Sequence, residues 1–131
     1  MQLVKASTAR GIVRGLLAGS GSVAIGTAGA VVARGTRAIP GGGTATASTD
    51  SVLRFYATWW GGSGIAMLAA AREPNPSTAV VRGVAAATFV GGLARLAAAR
   101  RSGRPHPLFQ ALTVIELLTP PALLLARQKS E

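Results

Sequence analysis

Among the ionisable side chains within the long apolar stretches of this chain, three are worth naming: Arg54, Arg95 and Glu116. They are the first candidates for chemistry, because a charge at bilayer depth costs several kcal/mol unless it is paired or hydrated. Asp50 precedes Arg54 by four residues, the spacing of neighbours on one helical face. Thr58 follows Arg54 by one turn, and Thr113 and Thr119 flank Glu116 at spacing three, so the acid lies on a mildly polar stripe. Pro120 and Pro121 leave the carbonyls of Glu116 and Leu117 without their helical donors, and a kink there would open space beside the acid. Two kinds of chemistry fit these residues. An Arg–Glu pair can fix helix register as mutual counter-charges. A polar pocket built from Arg54, Tyr56, Trp59, Arg95 and Glu116 can hold a small anionic or polar ligand, or pass a proton.

Catalytic chemistry has little to build on. There is no Ser-His-Asp set in a suitable context, no paired carboxylates, no phosphate loop and no HExxH motif. Gly41, Gly42 and Gly43 lack a preceding strand and a following lysine. The chain has 1 histidine, His106, and no cysteine, so neither a metal centre nor a disulfide scaffold is expected. No cofactor is implied, and the reading leans away from an enzyme.

The elements that must position these residues follow from where the charges fall. The 131 residues carry a net charge of +10, yet only 14% are charged and 49% are hydrophobic. Mean hydropathy is +0.40. Long stretches are nearly free of charge, and crossing a bilayer core takes about 20 mostly apolar residues. The expectation is four transmembrane helices at about 12–34, 53–71, 79–99 and 106–126. A soluble amphipathic helix would carry a charge every three or four residues, and these segments do not. Four all-apolar helices with nothing to cover them are hard to build as a soluble protein of this length. The first segment, preceded by Lys5, Arg10 and Arg14 and containing Ala28-Gly29-Ala30, also has features of a secretory signal. Its length favours a retained span.

Short connections force the neighbouring spans antiparallel. Pro40 and the three glycines after it stop any helix, and Thr49, Asp50 and Ser51 are candidate caps for the second span. Residues 72–78 and 100–105 make the other two turns, with Pro105 and Pro107 suited to the start of the fourth span. The expected architecture is all-α: a single-domain integral membrane antiparallel four-helix bundle over 1–131, with both termini on one side. Cations outside the spans divide six to five in favour of that side, which leans toward cytoplasmic termini in a bacterial inner membrane.

In lipid, helices associate through close packing of small residues. Gly11, Gly15 and Gly19 recur every four residues, followed by Ser22, Gly26 and Ala30. In the third span Gly83, Ala87 and Gly91 lead at the same spacing to Arg95. Gly15, Gly19, Gly26, Gly83, Ala87 and Gly91 are therefore candidate packing positions. Phe55, Tyr56, Trp59 and Trp60 open the second span and Phe109 the fourth, as an interfacial aromatic belt would. Although the sequence pI is about 12.0, the basic residues sit at the ends of apolar spans rather than on one face. The expected partner is anionic lipid headgroups, not nucleic acid.

The ordered set Asp50-Ser51-Val52-Leu53-Arg54-Phe55-Tyr56, Trp59, Gly91-Gly92-Leu93-Ala94-Arg95, Gly103-Arg104-Pro105-His106-Pro107 and Glu116-Leu117-Leu118 resembles the bacterial family catalogued as domain of unknown function 4345. The Gly26 region and Ile39-Pro40-Gly41 are similar to that family's first span and loop. The resemblance covers nearly the whole chain and implies a small four-span membrane protein without an established activity, its first span retained. It picks out Arg54, Phe55, Tyr56, Gly91, Gly92, Arg95 and Glu116. A looser similarity to DoxX-type four-helix membrane proteins implies a subunit of a redox complex, at the level of fold alone.

Three functions stay open on the sequence. The first is a structural or accessory role, in a larger membrane complex or a homo-oligomer. The second is a ligand or proton pathway through the Arg/Glu residues, and the third a quinone-contacting subunit with Tyr56 and Trp59 at the contact.

Overall fold

The computed structural model describes residues 2–129, and side chains from Lys5 onward. Among the described residues the fold is all-α. Four helices follow in order: α1 (Gln2–Arg34), α2 (Ala47–Arg72), α3 (Thr78–Ser102) and α4 (Pro107–Gln128), with one turn of 3-10 helix at Gly35–Ala38. The expected spans lie within these helices, except that α4 starts one residue later than expected, with His106 as its cap. α1 begins well before residue 12, because nothing in Gln2–Gly11 breaks a helix.

Each boundary has a local cause. Gly35 takes the left-handed conformation (φ 59°) that ends α1. The start of α2 departs from expectation: Thr46, not Thr49, Asp50 or Ser51, receives the cap contacts. Thr46 Oγ1 accepts from Thr49 N at 3.2 Å, and its carbonyl accepts from Asp50 N at 2.9 Å. Ser77 caps α3 by accepting from Val80 N, and Gly103 (φ 89°) terminates it. His106 caps α4 through Nδ1, which accepts from Leu108 N at 3.2 Å, and Pro107 occupies the first turn. α4 runs on through Pro120 and Pro121 to Gln128.

Three segments are long and apolar enough to cross a membrane: Lys5–Ala38, Thr78–Ser102 and Pro107–Gln128. Only 22%, 17% and 11% of their most apolar stretches are buried inside the protein. Leu118, Ile65, Val90 and Leu125 are each more than half exposed. Apolar surface on that scale marks contact with lipid or protein rather than water. α2 has the length to span but falls outside this set, since glycine, serine, threonine, tyrosine and tryptophan make up much of its middle.

The chain divides into two compact units, residues 17–71 and residues 1–16 with 72–131. Within the first unit, the second half of α1 packs on α2 through backbone-close contacts. A Cβ added to Gly21 would lie 2.7 Å from the Gly64 carbonyl oxygen, and one added to Gly64 would lie 2.7 Å from that of Gly21. One turn on, a Cβ at Gly61 would meet the Ala28 methyl at 3.1 Å. Trp60 Nε1 donates to Thr27 Oγ1 at 3.1 Å across the same pair of helices. Within the second unit α3 packs on α4, closest at Gly92, where an added Cβ would be 3.0 Å from Leu117 Cγ and 3.2 Å from Glu116 Cβ.

Candidate functional site

Each of the three charges found by sequence has a partner within its own unit. On α3, Gly92 lets α4 approach, and Arg95 stands one turn further along. Arg95 Nε donates to Glu116 Oε2 at 2.8 Å. The Gly-Gly-x-x-Arg spacing thus couples a close helix contact to the ion pair beside it. The Arg95 guanidinium also lies 5.5 Å from the centre of the Phe109 ring, which adds a cation–π contact. Phe109 and Glu116 are seven residues apart, so both face α3 from one side of α4. The pair is not sealed: the Arg95 side chain is 41% exposed and that of Glu116 21%.

Arg54 is bound at the other unit. Its Nε donates to Asp50 Oδ2 at 2.7 Å, and Nη1 donates to the Val32 carbonyl at 2.5 Å. Val32 is in the last turn of α1, where carbonyls lack helical donors and carry partial negative charge. Arg54 therefore caps the end of α1 while Asp50 sits in the first turn of α2, each charge beside the helix end that favours it. Gly35 is required there twice over, by its backbone conformation and because a Cβ would collide with the Asp50 carboxylate.

Tyr56 and Trp59 project outward on α2, 65% and 69% exposed. Tyr56 meets Phe55 edge-on at 5.8 Å. Gly15, Gly19, Gly26, Gly83 and Gly91 have nothing within 4 Å of an added Cβ, and Ala87 is exposed, so none of the described residues packs tightly at these positions.

One polar cluster lay outside the sequence reading. Arg127, near the end of α4, is 8% exposed, and it donates to Asn75 Oδ1 and, at 2.9 Å, to Thr78 Oγ1. It ties the α4 terminus to the turn before α3. Its signal in the sequence is an arginine placed directly after Leu123-Leu124-Leu125-Ala126, together with the polar residues of the 72–78 turn.

The glycine step, both arginine–carboxylate pairs and the Arg127 cluster all fall within residues 12–127, the segment matched by a family model described as Domain of unknown function (DUF4345). The chain belongs to this family. No match was found among curated proteins or among solved structures. In this DUF4345 chain, then, the residues themselves are the ground for any functional reading. Among its described residues no group of three or more His, Asp or Glu side chains is placed to hold a metal ion.

Proposed function

We propose that this chain is a four-span integral membrane protein with a structural or accessory role, in a larger membrane complex or a homo-oligomer. The observation that carries the reading is that the three charges singled out from the spans are each bound, Arg95 by Glu116 and Arg54 by Asp50 and the Val32 carbonyl, while Arg82, near the start of α3, is exposed. A site built for turnover keeps a reactive group available, whereas these groups are bound where they fix helix positions. The fourth span of the reading is α2. Its polar side chains support that assignment: Thr58 Oγ1 donates to the Phe55 carbonyl and Ser63 Oγ to the Trp60 carbonyl, both at 2.7 Å, and Trp60 is bonded to Thr27. Hydroxyls bonded back to their own helix are compatible with hydrocarbon. The six-to-five division of cations favours cytoplasmic termini in a bacterial inner membrane. The face carrying Gly15, Gly19 and Gly26, open among the described residues, is available to a neighbour.

The deciding experiment is a pair of variants read two ways, alongside copurification from native membranes. Glu116→Gln leaves Arg95 without its counter-charge and is expected to lower the folded yield in detergent, at a cost of about 2–3 kcal/mol. The double variant Arg95→Leu/Glu116→Leu replaces both charges by apolar groups and is expected to restore the yield. A structural role requires that the double variant also keep its native-membrane partners. The part-exposed Arg95–Glu116 pair favours one second reading, a ligand or proton pathway. Restored folding with proton flux lost in vesicles would support that pathway and remove the structural role.

A further inference from the structure

We propose that the groove between the C-terminal half of α1 and α2 binds one anionic phospholipid, its acyl chain along the groove and its phosphate at Arg34 and Arg37. The proposal rests on the four-span reading, since it needs α2 in the bilayer. The groove has a volume of about 450 Å³ and is lined by Ile25, Gly29 and Val32 of α1 and by Thr58, Gly62 and Ile65 of α2. The groove is shallow and open along its length, so an occupant would lie along the helices with one side facing the bilayer. Its walls are almost wholly apolar, with Thr58 bonded back to its own helix.

Length, charge and shape select the occupant. From Ile25 to Ala33 on α1, and from Ile65 back to Ala57 on α2, the groove runs eight residues, about 12 Å at helical rise. One leaflet of hydrocarbon is about 15 Å deep, half of the bilayer core. Alongside the groove the two helices are in close contact, at Gly61 against Ala28 and at Gly64 against Gly21. At the opposite end α1 terminates, and Arg34 and Arg37 stand exposed with no hydrogen bond or ion pair among the described residues. Arg54 is neutralised there by Asp50, so Arg34 and Arg37 supply the net positive charge. An open apolar groove about one leaflet long, with unpaired cations at one end only, matches a lipid tail beneath an anionic headgroup. A neutral quinone or a zwitterionic lipid makes no net use of that charge. A second copy would bring another net +10 toward it.

The test uses the full chain, purified in mild detergent and exposed to equal amounts of phosphatidylglycerol and phosphatidylcholine of identical acyl composition. Retained lipid is counted by native mass spectrometry. Wild type is expected to retain phosphatidylglycerol roughly ten-fold or more in preference, and each of Arg34→Gln and Arg37→Gln to reduce that preference about five-fold. Gly29→Leu/Gly62→Leu fills the groove, and because a Cβ at either position meets nothing within 4 Å, folding is expected to survive. This variant is expected to retain neither lipid. Equal retention of both lipids by wild type overturns the proposal, as does a preference unchanged in the arginine or glycine variants. Disulfide-linked dimers of Gly29→Cys, formed in membranes in high yield, also overturn it, by showing the groove covered by a second copy. Labelling of Thr44→Cys and Glu73→Cys from the same membrane side overturns the four-span reading and this site together. Labelling from opposite sides without a lipid preference overturns the lipid site alone.

Discussion

At the scale of single residues, the cost of a charge in lipid is a stronger guide than any motif. It singled out Arg54, Arg95 and Glu116, and all three engage ion pairs at 2.7–2.8 Å. The same logic passed over Arg127, because an arginine near a chain end is ordinarily free to reach the headgroups. Arg127 is buried and held by Asn75 and Thr78, a tertiary contact that the cost of a charge does not locate. Arg127→Gln is expected to destabilise the protein by about 1–2 kcal/mol, since the buried arginine gives up its hydrogen bonds to Asn75 and to the half-buried Thr78. Thermal unfolding in detergent measures this, and an unchanged midpoint would mean the cluster does not hold the turn. Asp50→Asn tests the other clamp. It keeps the size of the side chain but removes the counter-charge of Arg54, and the end of α1 near Val32 and Gly35 is expected to exchange its amide protons faster.

At the scale of elements, the number, order and approximate limits of the helices were legible, because Gly, Pro and capping residues punctuate the chain where apolar stretches end. The phase of helix packing was not. On α1 two adjacent stripes both repeat every four residues, Gly11-Gly15-Gly19 and Ala9-Val13-Leu17-Gly21. The second is the buried one, and nothing in the spacing distinguishes it. The difference becomes a prediction. Gly64→Ala places a methyl 2.7 Å from a backbone oxygen, which cannot move aside as a side-chain tip can, and is expected to cost about 1–3 kcal/mol. Gly19→Ala meets open space and is expected to leave unfolding unchanged or to raise stability by about 0.5–1 kcal/mol. If the open glycine face meets a neighbouring protein, Gly19→Ala weakens that association while the monomer stays folded, so denaturation and crosslinking in membranes separate the two effects.

For the whole molecule, α2 is the decisive element. The spans read from the sequence require it to cross the bilayer, and its hydropathy alone does not establish this, because aromatic and small residues carry little transfer energy on an aliphatic scale. If α2 crosses, the 39–46 connection and the 72–78 turn lie on opposite sides of the membrane. The natural absence of cysteine allows a direct test with single substitutions. Thr44 and Glu73 are exposed and lie outside the helices, so cysteine at either leaves the packing intact. With the termini cytoplasmic, Glu73→Cys should be protected from an impermeant maleimide in intact cells and labelled after lysis, while Thr44→Cys is labelled in both. Reversal of the two patterns would invert the orientation and keep four spans. Matching patterns would take α2 out of the bilayer and move the Arg54–Asp50 clamp to a membrane surface. There an exposed ion pair contributes about 0–1 kcal/mol and no longer serves to hide a charge.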